Sequence, residues 1–306
     1  FIALFPHLVA GPVLRYHLLA EQFHHRVHSW SNFSRGCTIF MVGFCKKVLI
    51  ADTVAPLADA AFAIKNPSMM DAWLGTIAYT IQLFFDFSGY TDMAIGLALM
   101  IGFVFPQNFN DPYTSKSITE FWQRWHMSLS SWLREYLYIP LGGNKKGTRR
   151  TYINLFLTML LGGLWHGANW TFVVWGAWHG GILAIERYLK SKFGDSILPS
   201  WLRIIKTMLL VMIGWIFFRA IDLNNALQML RGLIGLNGFN FSNMMEWQIE
   251  PDRLGILFVA IFLVYAMPWL HRYRGGPMRY LLIPLFFWAV ATLSAQNFTP
   301  FLYFQF

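Results

Sequence analysis

Leu161-Gly162-Gly163-Leu164-Trp165-His166-Gly167-Ala168-Asn169-Trp170 lies in a run, Thr151 to Ile185, that contains no Asp, Glu, Lys or Arg. A continuous helix of these 35 residues would be roughly 50 Å long at ~1.5 Å per residue. The hydrocarbon core of a bilayer is only about 30 Å thick. The run must therefore bend back, tilt strongly or break. Gly162, Gly163, Gly167 and Asn169 mark the expected break, with His166 among them. A titratable side chain at membrane depth is costly, and by default it is a functional candidate.

Composition agrees with a membrane setting. The 306 residues are 56% hydrophobic, 18% aromatic and 13% charged, whereas a globular domain is about one-quarter charged. Long apolar runs without alternating strand patterns indicate an all-α polytopic membrane protein. About seven to nine membrane segments are expected. No linker, internal repeat or low-complexity stretch divides residues 1–306, so one domain is expected. The chain starts at Phe1 inside an apolar segment, and an N-terminal part of a longer protein is expected to be missing. The net charge of +9 sits in short loops between apolar runs. The positive-inside rule accounts for it, and nucleic acid is not an expected partner. Lys145, Lys146, Arg149 and Arg150 place the Leu141–Arg150 loop in the cytoplasm; a phosphate-binding reading lacks a Walker-type pattern. Both ends of the long run are then cytoplasmic, as in a hairpin.

Upstream, Phe1 to Leu14 is apolar and broken by Pro6 and Pro12. The histidines from His17 to His28 read as a basic interfacial helix, because no recognisable metal-ligand spacing is completed. Phe33 to Ile50 reads as a span whose Lys46 and Lys47 snorkel to the headgroups. Asp52 to Pro67 reads as interfacial. From Ala72 to Asn110 the only charged residues are Asp86 and Asp92, and the length predicts two spans meeting near them.

Glu120 to Tyr138 is too charged for a lipid-facing span and too aromatic for a free surface helix. Trp122, Trp125 and Leu129 follow i, i+3, i+7 spacing, with His126 beside the stripe. Ser117 or Thr119 is the expected cap. A neutral imidazole can take a proton from a hydroxyl as that hydroxyl attacks an acyl carbonyl. There is no Gly-x-Ser-x-Gly elbow and no His-Glu-x-x-His zinc motif. The residues alone leave three readings open: acyl transfer, tryptophan–histidine packing, and a proton path through Asp86, Asp92 and the histidines of a transporter.

At these residues the chain resembles the membrane-bound O-acyltransferase family, and within it the bacterial alginate O-acetyltransferase branch. The matching pieces are Pro6 to Pro12, Phe85 to Ala94, Asn108 to Tyr113, Phe121 to Gly143, Leu161 to Trp170, and Tyr303 to Phe306. The resemblance implies a ring of tilted and re-entrant helices around a central channel. It implies His166 as the presumed catalytic residue and His126 as the second family position. Trp165, Trp122 and Trp125 become candidates for the channel wall; Arg124, Asp86, Tyr90 and Asn169 become candidates for support around it. His7 and His179 are expected to be structural. No metal or bound cofactor is implied. The implied donor is a thioester, acetyl-coenzyme A, and the implied acceptor an exported polysaccharide reached through periplasmic acetyl-transfer proteins. The implied location is the bacterial inner membrane. D-alanyl or another acyl transfer to an envelope polymer, and acyl-group transport without a transferase step, are the alternatives.

Overall fold

The computed structural model describes residues 1, 4–8, 11–270 and 278–295. Val9 and Ala10 of the first motif, the loop starting at His271 and the Tyr303–Phe306 ending lie outside the described residues. Among those described, the ordered elements are all helical. After α1 (Tyr16–His24), the stretch from Trp30 to Ala63 is continuous: α2 (Trp30–Cys45), a π-helical segment (Lys46–Ala51) and α3 (Asp52–Ala63). The π segment is a local widening of the helix of a kind often found at functional sites.

α4 (Met69–Met100) follows. A reciprocal cap opens it: Ser68 Oγ accepts from Asp71 N at 3.1 Å, and Asp71 Oδ2 accepts from Ser68 N at 3.1 Å. At 32 residues it is about 48 Å long, and every residue from Ala78 to Gly89 is buried. The two spans expected here are thus one helix. Its acids do not mark a turn, because lysines from the α2–π stretch meet them. Lys46 Nζ lies 2.6 Å from Asp92 Oδ2, and Lys47 Nζ lies 3.0 Å from Asp86 Oδ1. Lys47 also pairs with Asp52. These lysines therefore do not snorkel. α3 is not interfacial either: Val54, Leu57, Ala58 and Ala61 are fully buried.

α2 and α4 touch through glycines. A Cβ on Gly43 would stand 2.4 Å from Gly89 O, and one on Gly36 would stand 2.7 Å from Gly96 O. The two contacts are spaced by two helical turns in opposite chain directions, which makes the pair antiparallel.

α5 (Ile118–Arg124) is capped by Ser117, whose side chain accepts from Glu120 N, and α6 is Met127–Leu133. The stripe expected on one helix therefore spans two short ones, split at Trp125–His126. α7 (Thr148–His166) and α8 (Trp170–Phe193) form the hairpin, with the break at Gly167–Asn169 as expected. Gly162 and Gly163 do not break the chain. Gly163 instead sits in α7 where a Cβ would meet Phe172 O at 2.3 Å.

α9 (Ser200–Arg219), α10 (Leu223–Leu233), α11 (Asn243–Glu246), α12 (Pro251–Leu270) and α13 (Met278–Ala295) complete the described fold. Among the described residues, Ser200–Arg219 and Pro251–Trp269 are the helices long and apolar enough to cross a membrane; Tyr280–Ala295 is apolar but shorter. That is fewer than the segments expected. Polar residues explain part of the difference: Thr76, Thr80, Gln82, Asp86 and Ser88 dilute α4 yet are buried within the protein.

Candidate active site

His126 and His166 line one narrow cavity. They reach it from different elements. α4 contributes Leu83 and Phe87, α5–α6 contribute Trp122, Trp125 and Leu129, α8 contributes Trp175, and α9 contributes Trp215 and Phe218. Apart from the two imidazoles, the wall is apolar and aromatic.

His166 is the last residue of α7. The chain must reverse directly after it. Gly167 fits there because a Cβ would stand 2.8 Å from the Phe172 ring. Asn169 then caps α8, accepting from Thr171 N at 3.1 Å, and its Nδ2 donates to Ile221 O at 2.9 Å. The His166 ring is boxed by aromatic neighbours, with ring centroids 5.1 Å from Trp165, 5.3 Å from Trp175 and 5.0 Å from Phe218.

His126 is built differently. It is buried, 4% exposed, and joins α5 to α6 in the left-handed region at φ 44°. A non-glycine residue there costs of order 1–3 kcal/mol and persists only where its surroundings enforce it. The enforcing strand of chain is Asn108–Asn110. Met127 N donates to Asn108 O and Asn110 N donates to Arg124 O, both at 2.9 Å. The Asn108 side-chain oxygen accepts from Ser128 N at 3.0 Å and Ser128 Oγ at 2.9 Å, and lies 3.2 Å from His126 Nδ1. Phe87 stands edge-on to the imidazole at 4.7 Å.

The aromatic wall has its own polar anchor. Trp215 Nε1 donates to Tyr113 Oη at 3.2 Å, and Tyr113 Oη donates to Thr80 O at 2.8 Å. Trp125 stacks on Tyr113 and Phe121. His179 is fully buried behind the wall, edge-on to Trp122 and Trp175 at 5.1 and 5.2 Å.

Of the residues singled out from sequence, His126, His166, Trp122 and Trp125 come together. Trp165 does not line the cavity; it is 57% exposed and stands edge-on to the His166 ring at 5.1 Å. Arg124 pairs with Glu120 at 2.6 Å, Asp86 belongs to the α4 ion pairs, Tyr90 donates to Leu8 O at 3.1 Å, and Asn169 is a cap. Sequence reading missed Phe87, Trp175, Trp215, Phe218 and the network on Asn108. Asn108 and Phe87 lay inside quoted motifs, but nothing in their spacing tied them to a histidine.

Two imidazoles in one narrow aromatic cavity that excludes most water are suited to proton transfer between fixed groups. Comparison with known proteins points the same way. The model of the MBOAT, membrane-bound O-acyltransferase, family matches residues 1–230. The protein of Pseudomonas putida named probable alginate O-acetylase is 50% identical over 333 residues, covering 100% of this chain and 68% of that protein. Its namesake in Azotobacter vinelandii is 48% identical over 345 residues, covering 100% and 69%. The peptidoglycan O-acetyltransferase of Helicobacter pylori is 40% identical over 276 residues, covering 88% and 52%.

Proposed function

The chain belongs to the membrane-bound O-acyltransferase family, and on that premise we propose that it passes an acetyl group from a cytoplasmic thioester for the O-acetylation of an exported polysaccharide such as alginate. The observation that carries this reading is the convergence of His126 and His166 on one aromatic cavity. His166 acts as general base or polarises the acceptor hydroxyl beside the thioester carbonyl. His126 hydrogen-bonds the thioester or the acceptor. Acetyl-coenzyme A is the donor, and periplasmic acetyl-transfer proteins carry the group onward.

In this reading the chain is multi-pass in the bacterial inner membrane. Its tilted and re-entrant helices ring a channel in which donor and acceptor meet. The exposed apolar side chains of α12 and α13, such as Phe258, Phe262, Phe287 and Trp288, face lipid. Names of relatives support an envelope polymer as acceptor, alginate in two cases and peptidoglycan in the third. No observation favours the proton-path alternative, since Asp86 and Asp92 are ion-paired to Lys47 and Lys46.

The test is polymer O-acetylation in cells whose full-length gene carries His166→Ala, with membrane insertion checked in parallel. Acetylation should vanish while the protein remains in the membrane. Unchanged acetylation would sink the reading.

A further inference from the structure

The two histidines have unlike surroundings, and those of His126 determine its chemistry. A backbone N–H can only donate, so the Asn108 side-chain atom facing Ser128 N at 3.0 Å must be the oxygen. The opposite end of the amide, Nδ2, is buried without a hydrogen-bond partner among the described residues. The amide is thus oriented by its oxygen. His126 Nδ1 lies 3.2 Å from that same oxygen. Two acceptors cannot share a hydrogen bond unless one carries the hydrogen, so Nδ1 does.

The second neighbour of Nδ1 agrees. Ser128 Oγ, 3.4 Å away, receives a hydrogen bond from Val13 N at 2.9 Å and gives its own hydrogen to Asn108 at 2.9 Å. It has only a lone pair left for the histidine. Nδ1 is therefore tied on one side of the ring. The opposite edge, with Nε2, is left for the cavity that His126 lines.

We infer that Asn108 is a positioning residue that fixes His126 as the Nδ1–H tautomer, so that Nε2 accepts, and does not donate, a hydrogen bond in the cavity. Which imidazole nitrogen is active is set by what the other one is bonded to. Resting on the acyl-transfer reading, this decides between the two partners left open for His126. A neutral imidazole in this tautomer has no hydrogen to give a thioester carbonyl from Nε2. It holds the acceptor hydroxyl instead, taking that group's only O–H as a hydrogen bond; as the oxygen bonds to the carbonyl carbon and the C–S bond breaks, the proton passes through Nε2 to the leaving thiolate, which leaves His166 to polarise the hydroxyl and not to deprotonate it. Among the residues lining the cavity, the other titratable group is His166; Phe87, Trp125 and Leu129 are apolar, and neither Asn108 nor Ser128 titrates.

The experiment measures transfer of labelled acetyl from acetyl-coenzyme A in membranes bearing the full-length protein, across roughly pH 5 to 9, the range in which an imidazole titrates. Asn108→Leu keeps the branched shape and removes the acceptor oxygen; the rate should fall about 100-fold or more, since loss of tautomer control is costly in comparable arrangements. Asn108→Asp keeps an acceptor and adds charge. It should restore most of the rate at high pH and move the acid limb of the profile up by about one unit or more, because a nearby carboxylate favours imidazolium. An unmoved acid limb in Asn108→Asp overturns the inference, as does an Asn108→Leu rate within about two-fold of the parent. Should Asn108→Leu fail to insert, the Asn108→Asp profile decides alone. His126→Ala and His166→Ala are run alongside. If both retain transfer, the acyl-transfer reading itself fails; if both lose it while the Asp profile stays put, only the role of Asn108 falls.

Discussion

The α2–α4 pair and the α7–α8 hairpin are both antiparallel helix contacts closed by glycines, but only one of them is also pinned by charge. Between α2 and α4, the approach at Gly43 and Gly89 is followed directly by the Lys46–Asp92 and Lys47–Asp86 pairs. Between α7 and α8, Gly163 meets Phe172 and a Cβ on Gly176 would stand 2.5 Å from Met159 O, yet no salt bridge joins these helices among the described residues. Small residues let backbones approach closely where lipid supplies no hydrophobic drive. Ion pairs add direction, at the cost of leaving a stranded charge if one partner is lost. The first pair reads as a fixed strut. The second is held by shape alone, and its turn carries His166 into the cavity.

Substitutions can break this contrast, and the largest effect should come from the charged side. Lys47→Met leaves Asp52 and Asp86 facing each other without a cation and should cost about 3–5 kcal/mol, read as loss of folded protein in detergent melts. Adding Asp86→Asn to it should recover part of that; no recovery would mean the pair does not act as a unit. Next, Gly163→Val should push α8 away from α7, costing about 3 kcal/mol, and should depress acetyl transfer beyond what the loss of folded protein explains. If transfer per folded molecule holds steady, the seam does not position His166.

A smaller difference separates the histidines themselves. His126→Ala removes a buried, hydrogen-bonded ring and should destabilise by about 2–3 kcal/mol. His166→Ala, at a half-buried helix end, should cost roughly 1 kcal/mol while abolishing activity. Equal melting shifts for the two would contradict the view that only His126 sits in a built frame. The smallest effect belongs to Gly181, where a Cβ would meet nothing within 4 Å. Gly181→Ala should be neutral or stabilising by up to about 1 kcal/mol, and a clear loss in melting temperature there would show that glycine positions on α8 cannot be sorted by contact.

The hairpin break was legible because an uncharged run of 35 residues is too long to cross a bilayer upright, and Gly167 with Asn169 is where a helix would end. His166 was legible for the same reason. The false break at Asp86 shows the limit. An acid in an apolar run reads as a turn only while its partner is unknown, and Lys47 lies on another helix. The split of the Trp122–Leu129 stripe was equally hidden. Periodicity continued through His126, whereas the hydrogen bonds Met127 N to Asn108 O and Asn110 N to Arg124 O, with residues outside that helix, hold the kink. Trp175, Trp215 and Phe218 reach the cavity from α8 and α9, and among 14 tryptophans and 29 phenylalanines no local signal distinguishes those that do.

The π-helical stretch Lys46–Ala51 has a consequence for how this protein can change. It acts as a phase adjuster. The chain enters with one face meshed to Gly89 and leaves with another, Val54, Leu57, Ala58 and Ala61, turned inward. A π turn holds about one residue more than an α turn, so deleting a single residue there would restore ordinary winding and leave that apolar set facing inward, whereas the same deletion within α2 would rotate everything downstream by about 100°. A one-residue deletion in the exposed Asn144–Gly147 loop would be absorbed by slack. Two gaps of equal length in an alignment would thus have opposite meanings, harmless in the π segment or the loop and a change of gearing in α2.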